Sequence, residues 1–257
     1  QTMAYEDQLA MKASQVQALI EDALVRSGQV KAEDNNQADY IFEGIQGSPM
    51  QFGYRNKMEF SFGDAVKDGP LTLGLHKKGS TYDVLTTDDC KIVHEDFTKI
   101  LRVVLDYCTE HQLPYYKKMR HEGYLRHLLV RRAQTTGEIL VNLVTSSQID
   151  HNFTELVNRI LGLELEGKII GVLHIINDSL ADVVQSDETK ILYGQDYFYE
   201  ELLGLKFKIS EFSFFQTNSF GAEVLYQTAR DYIGDLSEGS EPDKIVYDLY
   251  SGTNCAD

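Results

Sequence analysis

Hydrophobic positions recur along this chain in two periods, and the switch between them predicts its elements. Leu9, Ala13, Val16, Ile20 and Leu24 share one helical face, so the spacing predicts a helix over 5–27, with Gly28 where a C-terminal cap glycine belongs. The polar stretch "KAEDNNQADY" reads as a loop, and "YRNKMEFSFG" then changes to strict alternation. Tyr54, Met58, Phe60 and Phe62 fall on one side and Arg55, Lys57 and Glu59 on the other, which predicts a half-buried strand with a charged outer face. "PLTLGLHKKGSTYDVL" continues as a hairpin turning at Lys78-Gly79-Ser80.

Helical spacing returns over 94–112, where Phe97, Ile100, Leu101, Val104, Leu105 and Cys108 form an apolar stripe and Cys108 is a core residue. The runs "YLRHLLVRRA" and "EILVNLVTS" read as strands joined by a turn at Thr135-Thr136-Gly137. A helix at about 150–161 ends at Gly162, two further β-rich stretches follow, and a helix over about 217–233 precedes an apolar strand, Ile245–Tyr250. This order predicts an α+β domain with a mixed or antiparallel sheet. The helix-then-strand pattern after residue 210 departs from it and reads as the start of an α/β, Rossmann-like unit. The expected divisions are therefore 1–30, 31–209 and 210–257.

Composition changes the picture in one respect. The formal charge of −16 on 257 residues argues against nucleic acid as a partner until its distribution is considered. Residues 51–174 are neutral, with 16 basic and 16 acidic side chains, and the acidity lies on either side. Within that middle, "YYKKMRHEGYLRHLLVRR" carries Lys117, Lys118, Arg120, Arg126, Arg131 and Arg132 against the single acid Glu122. Charge alone leaves two readings, a solvated basic edge or a phosphate-facing strip. No apolar run approaches a membrane span, no signal-peptide pattern opens the chain, and three cysteines without paired spacing point to a reducing, cytoplasmic setting.

Residue chemistry alone is sparse. No carboxylate pair, metal-ligand spacing or Ser/His/Asp arrangement stands out, and the seven histidines, His121 and His127 among them, are scattered. Cys90 sits between a hairpin and a helix beside acids that disfavour a thiolate, so local chemistry reads it as a small packing residue. In "FSFFQTNSFGAEVLY", Phe212, Phe214 and Phe215 crowd ahead of Gln216 and Asn218. Composition favours a core strand running into an amide-capped helix there, with a purine-binding surface as the alternative.

Taken in order, "QTMAYEDQLAMKASQV", "YRNKMEFSFG", "LGLHKKGSTYDVL" with "DDCKIV", "GYLRHLLVRR", "LLGLKFKISEFSFFQTNSFGAEVLY" and "VYDLYSG" resemble one family. It is the S-adenosylmethionine-dependent RNA uracil-5-methyltransferases, which make 5-methyluridine in 23S rRNA or tRNA. The resemblance runs from the first residue to about residue 253. It implies that Gln216 contacts S-adenosylmethionine and that Tyr250, Ser251 and Gly252 form the turn after the first strand of the methyltransferase domain. It implies that Cys90 is the fourth ligand of a [4Fe-4S] cluster, whose other cysteines the family places just before the glutamine matching Gln1, after an oligonucleotide-binding β-barrel. The strip from Lys117 to Arg132, with Arg55 and Lys57, is then expected to face RNA, with Tyr54 or Tyr124 stacking on unpaired bases.

In that family a cysteine thiolate adds to C6 of a flipped-out uridine, C5 takes the methyl group, and a base removes the C5 proton. The resemblance places both groups beyond the first strand, so no catalytic residue is expected in this chain and it is expected to be inactive alone. Cys255 lies too close to the cofactor turn to match the nucleophile. A glycine is usual in the family where Asn254 stands, so "NCAD" does not continue the pattern. The RNA expected is 23S rRNA in preference to tRNA. Two further readings stay open, an RNA-binding module without catalysis and a purely structural α+β domain.

Overall fold

The computed structural model describes residues 2–28, 40–180, 186–234, 245 and 247. They fall in two compact units, 1–51 and 52–257. In the first, helix α1 (Tyr5–Arg26) ends at Gly28 with φ +74°, the left-handed conformation a cap glycine supplies. Leu9, Ala13, Ile20 and Leu24 are half-buried as the spacing expects, whereas Val16 is exposed. The Tyr5 hydroxyl accepts from Ser48 N at 2.6 Å and ties the 40–51 segment to the start of the helix.

The second unit is built on a sheet of seven strands. They are β1 (Lys57–Asp64), β2 (Leu71–His76), β3 (Val84–Thr86), β4 (Leu125–Arg132), β5 (Glu138–Thr145), β6 (Lys168–Ile176) and β7 (Glu188–Gly194). Their order is β3-β2-β1-β4-β5-β6-β7, and every pairing is antiparallel except β5 with β6. The expected mixed sheet is therefore present. A parallel pair needs a crossover, and α3 (Thr154–Leu161) supplies it. The β1–β4 register runs from Lys57 opposite Arg131 to Ser61 opposite His127. The ladder of β1 starts at Lys57, later than the alternation from Tyr54 suggests, because 53–56 pair elsewhere.

Helix α2 (Glu95–Glu110) lays Phe97, Ile100, Leu101, Val104, Tyr107 and Cys108 on one face of the sheet, where they join Phe60, Leu128, Val141 and the apolar side of α3 in the main core. Cys108 is fully buried, as its spacing predicts, and burial pushes its thiol up to about 12. The opposite face carries a smaller core of Ala133, Leu140, Leu173, Phe198 and Ile209. The last two come from a separate ribbon, β8 (Tyr197–Leu202) paired with β9 (Leu205–Ser210). Helix α4 (Ser219–Ile233) follows. The strand expected at Ile245–Tyr250 lies outside the described residues but for Ile245 and Tyr247, which are not in a strand.

Covering both faces corrects the reading of the basic strip. All eight residues of β4 are buried, because β1 and β5 flank it and a layer packs on each side. Successive side chains of a strand point to opposite faces, so Arg131 and Arg132 diverge. Arg132 enters the α2 side, where Nε lies 3.0 Å from the buried Asp96 carboxylate. Asp96 also accepts from Glu166 N and Gly167 N at 3.0 and 2.9 Å. Its burial acts to raise its pKa, and the two backbone N–H groups and the Arg132 guanidinium outweigh that, holding the carboxyl below its usual range.

Two stability predictions come from these layers. Replacing Arg132 by Met removes the guanidinium from a buried Asp96 that keeps only its two backbone donors and His94, at an expected cost of about 3 kcal/mol in urea unfolding, with partial recovery in the Arg132→Met/Asp96→Asn double variant. His174 is buried with Nε2 2.8 Å from Thr145 Oγ1, and burial pushes its pKa down to about 4, with Lys190 acting in the same direction. The fold therefore favours neutral His174, while the unfolded chain takes up a proton from its ordinary value of 6.5 downward. Stability contributed by neutral His174 is complete above pH 6.5 and falls away toward pH 4. A His174→Gln variant is expected to show a flatter melting-temperature profile than wild type across that window.

Candidate cofactor and nucleic-acid sites

The segment between β9 and α4 is shaped by buried polar groups. On the β8–β9 side of the sheet, Arg131 donates from Nη1 to the carbonyls of Ser210, Glu211 and Ser213 at 2.7, 3.1 and 2.9 Å. Burial pulls its pKa down to about 10, so the guanidinium still carries its charge at neutral pH. Asn56 lies just before β1. Its backbone N–H donates to Thr217 O at 2.9 Å, and its side-chain amide donates to Gln216 O at 2.8 Å and Ser219 Oγ at 2.9 Å. Ser219 Oγ in turn donates to Glu200 at 2.7 Å. Glu200, fully buried, also accepts from the backbone of Gln134 and Thr135 and from the Thr135 hydroxyl. With Glu201 N at 3.3 Å, five donors thus offset the burial of one carboxylate.

These anchors hold the "FFQTN" backbone from both sides. Asn218 caps α4, its side chain accepting from Gly221 N at 2.9 Å, as the amide-capped-helix reading expects. Phe215 packs on Phe207 against the smaller core, while Phe212 and Phe214 are exposed. Gln216 is half-buried with its main chain fixed, and its side-chain amide makes no hydrogen bond among the described residues. That leaves one donor-acceptor group unengaged within the described residues. Tyr250, Ser251 and Gly252 lie outside the described residues.

Arg55 joins this region to Cys90. Arg55 forms a parallel bridge to Val93 and an antiparallel bridge to Asn218, with Gly53 N and Arg55 N donating to Lys91 O and Ile92 O. Residues far apart in sequence, near 55, 91 and 218, thereby become neighbours. Cys90 is half-buried and lines a cavity of about 700 Å³ with Phe52, Asp88, Asp89 and His94. The resemblance places the other three cluster cysteines before Gln1, so of that ligand set the described residues hold Cys90 alone. Among the described residues no group of three or more His, Cys, Asp or Glu side chains could hold a metal ion, and Cys108 is in the core.

The basic residues separate into two populations. Arg126, Arg131 and Arg132 are buried and engaged by protein groups, so burial corrects the expectation that they face RNA. Arg126 donates to Asn177 O and Ser179 O at 2.8 and 2.7 Å and lies over the Tyr116 ring. Tyr124 is likewise fully buried and stacked with Phe153, which removes it as a base-stacking surface. In the loop ahead of β4 Arg120 is exposed, whereas Lys117 and Lys118 are half-buried, as are Arg55 and Lys57. Arg55 Nε donates to Lys57 O, and Lys57 pairs with Glu59 at 2.8 Å. Sequence patterning missed Asn56, Glu200 and Ser219, since an amide, a carboxylate and a hydroxyl at positions 56, 200 and 219 carry no shared spacing. Among the described residues no helix is long and apolar enough to cross a membrane.

No protein-family model matches the chain. It is 50% identical over 253 residues to an uncharacterized RNA methyltransferase of Clostridium tetani, covering 98% of this chain and 52% of that protein. An uncharacterized RNA methyltransferase of Caldanaerobacter subterraneus is 47% identical over 253 residues, again covering 98% of this chain and 52% of that protein. The chain thus spans about half the length of the curated relatives it matches. Among solved structures it resembles the Pyrococcus abyssi tRNA (uracil-54, C5)-methyltransferase in complex with S-adenosyl-L-homocysteine, with a TM-score of 0.63 and 23% identity over 88% of this chain and 48% of that one. That likeness is one of fold. Nearly the whole chain is thus similar to one half of proteins that are RNA methyltransferases by name.

Proposed function

We propose that the chain is the RNA-facing central part of an S-adenosylmethionine-dependent RNA uracil-C5 methyltransferase, together with the entry to its cofactor domain from residue 210. The observation that carries this reading is the clamped 210–219 segment, which presents an unengaged Gln216 amide on a backbone held by Arg131 and Asn56. Fixing the main chain leaves only side-chain torsions to order on binding, which lowers the entropic cost of contact. Gln216 would hold the cofactor, with Tyr250, Ser251 and Gly252 approaching from the turn that follows. The bound cofactor supplies the transferable methyl group.

RNA is drawn to the loop cations Lys117, Lys118 and Arg120, the two lysines half-buried and Arg120 exposed, on an otherwise acidic protein. The relatives' names and the substrate named for the structural neighbour support RNA, and uracil C5 as the target. 23S rRNA is the substrate proposed here, with tRNA tested beside it because the neighbour acts on tRNA.

The test is nucleoside analysis of 23S rRNA and tRNA transcripts after incubation with S-adenosylmethionine and a polypeptide of the relatives' full length. 5-Methyluridine is expected, and methyl incorporation elsewhere, or none, would sink the reading. Gln216→Ala is expected to weaken cofactor binding by about 10-fold, the loss of roughly one hydrogen bond to a charged ligand. Arg131→Lys is expected to do the same indirectly. One ammonium cannot reach three carbonyls in the guanidinium's geometry, so the 210–213 turn loosens while RNA affinity stays unchanged in a filter-binding assay.

A further inference from the structure

We propose that the cleft between the β2–β3 hairpin and the 115–122 loop is a subsite for one unpaired nucleotide of single-stranded RNA. Its base would lie between Tyr82 and Met119, and its phosphates on Lys118 and Arg120. This rests on the RNA reading above and adds to it a place and a conformation of the ligand.

The cleft encloses about 410 Å³, within the ~300–1,000 Å³ of pre-formed ligand sites. Its floor is apolar, made by Phe62 and Val84, with Gly63 between the strands. A Cβ on Gly63 would come within 2.7 Å of Val84 Cγ2, so glycine there lets the hairpin sit close to β1. The far wall is a tight loop. Lys117 N donates to Glu122 O at 2.7 Å, and His121 N returns to Lys117 O with His121 at φ +54°. Gly123, at φ +118°, passes against the Tyr115 carbonyl where any side chain would clash. This geometry lifts Met119 and Arg120 out of the fold, with Lys118 half-buried beside them.

Charge and exposure then point to the ligand. Asp64 is occupied at the base of the wall, accepting from the Tyr115 hydroxyl at 2.9 Å and from Asp68 N at 2.8 Å. Asp68 pairs with Lys117 at 3.3 Å. Lys118 approaches His76 Nε2 at 3.5 Å, while Lys67 and Arg120 make no ion pair among the described residues. Asp83 is the acid left on the hairpin side, which sets the phosphates on the opposite, loop side. Tyr82 is 61% exposed and Met119 76% exposed, one from each wall. A large ring and a polarizable thioether held in water beside cations suit a flat base with a phosphate attached. A duplex keeps its bases stacked inside and cannot enter, and an acidic peptide has the charge without the planar faces.

The experiment measures binding of the 257-residue chain to a fluorescein-labelled oligouridylate 12-mer and to a 12-base-pair RNA duplex by anisotropy, over a salt series. The Tyr82→Ala/Met119→Ala variant is expected to lose about 10-fold or more for the single strand, with little change for the duplex. Both side chains are exposed, so its thermal melt should match wild type. Lys118→Ala/Arg120→Ala is expected to weaken both RNAs and flatten the salt dependence by up to about two phosphate contacts. Wild-type affinity in both variants, beside clear wild-type binding, overturns the subsite and leaves the RNA reading standing. Absence of binding by wild type overturns both. Equal losses for single strand and duplex in the Tyr82/Met119 variant overturn the base contact, and displacement of the oligouridylate by polyaspartate at matched charge overturns RNA as the occupant.

Discussion

The arrangement around the β8–β9 ribbon depends on one buried anion. Glu200 has no access to water, and its stability there requires donors for both carboxylate oxygens. They come from three separate stretches of chain: the β4–β5 turn, the start of α4 and, through Ser219, the approach to β1 at Asn56. A network of this kind is cooperative, because removing one member leaves the others desolvated and unsatisfied. It therefore couples the position of "FFQTN" to the central strands of the sheet, far more firmly than the exposed Phe212 and Phe214 could.

The two exploitable surfaces are separated by the same sheet logic. Cations that lie in β4 are drawn into the layers and serve structure, while those in the loop ahead of it are half-buried or exposed. Position relative to the strand start, not residue type, decides which role an arginine takes. The chain can consequently be strongly acidic overall and still hold a small positive, aromatic-lined recess, because a phosphate senses charges within about a Debye length, roughly 8–10 Å, and little beyond it.

Much of this was legible in sequence, and the failures have one cause. Helices α2 and α4, the turns at Gly79 and Gly137 and the burial of Cys108 are local consequences of periodicity and capping, and they emerge as the pattern predicts. Arg126, Arg131 and Arg132 were misread because a charged side chain in a strand implies solvent unless a second layer covers it. For Arg131 that layer comes from residues 197–210, for Arg132 from α2 and for Arg126 from Tyr116 and the 177–179 segment, and no local pattern announces that any of these docks there. The Asn56–Ser219–Glu200 chain was invisible for the same reason: its members are joined only by the fold. The cleft beside Tyr82 combined a legible part, the "KKMR" run, with an illegible one, the hairpin that faces it.

The adjacent arginines of β4 have a further effect. Arg131 and Arg132 point to opposite layers, each into a receptor of its own kind, three carbonyls on one side and a carboxylate on the other. Sliding β4 by one residue against β1 and β5 would exchange their faces: in one direction Ala133 would stand opposite Asp96 and the Arg131 guanidinium would lose its carbonyls, and in the other Val130 would face the three carbonyls in place of Arg131. Apolar neighbours such as Leu128, Leu129 and Val130 would tolerate that slip, being nearly interchangeable in a strand buried on both sides. The arginine pair thus works as an alignment key, selecting one strand register from several that hydrophobic burial alone would leave close in energy.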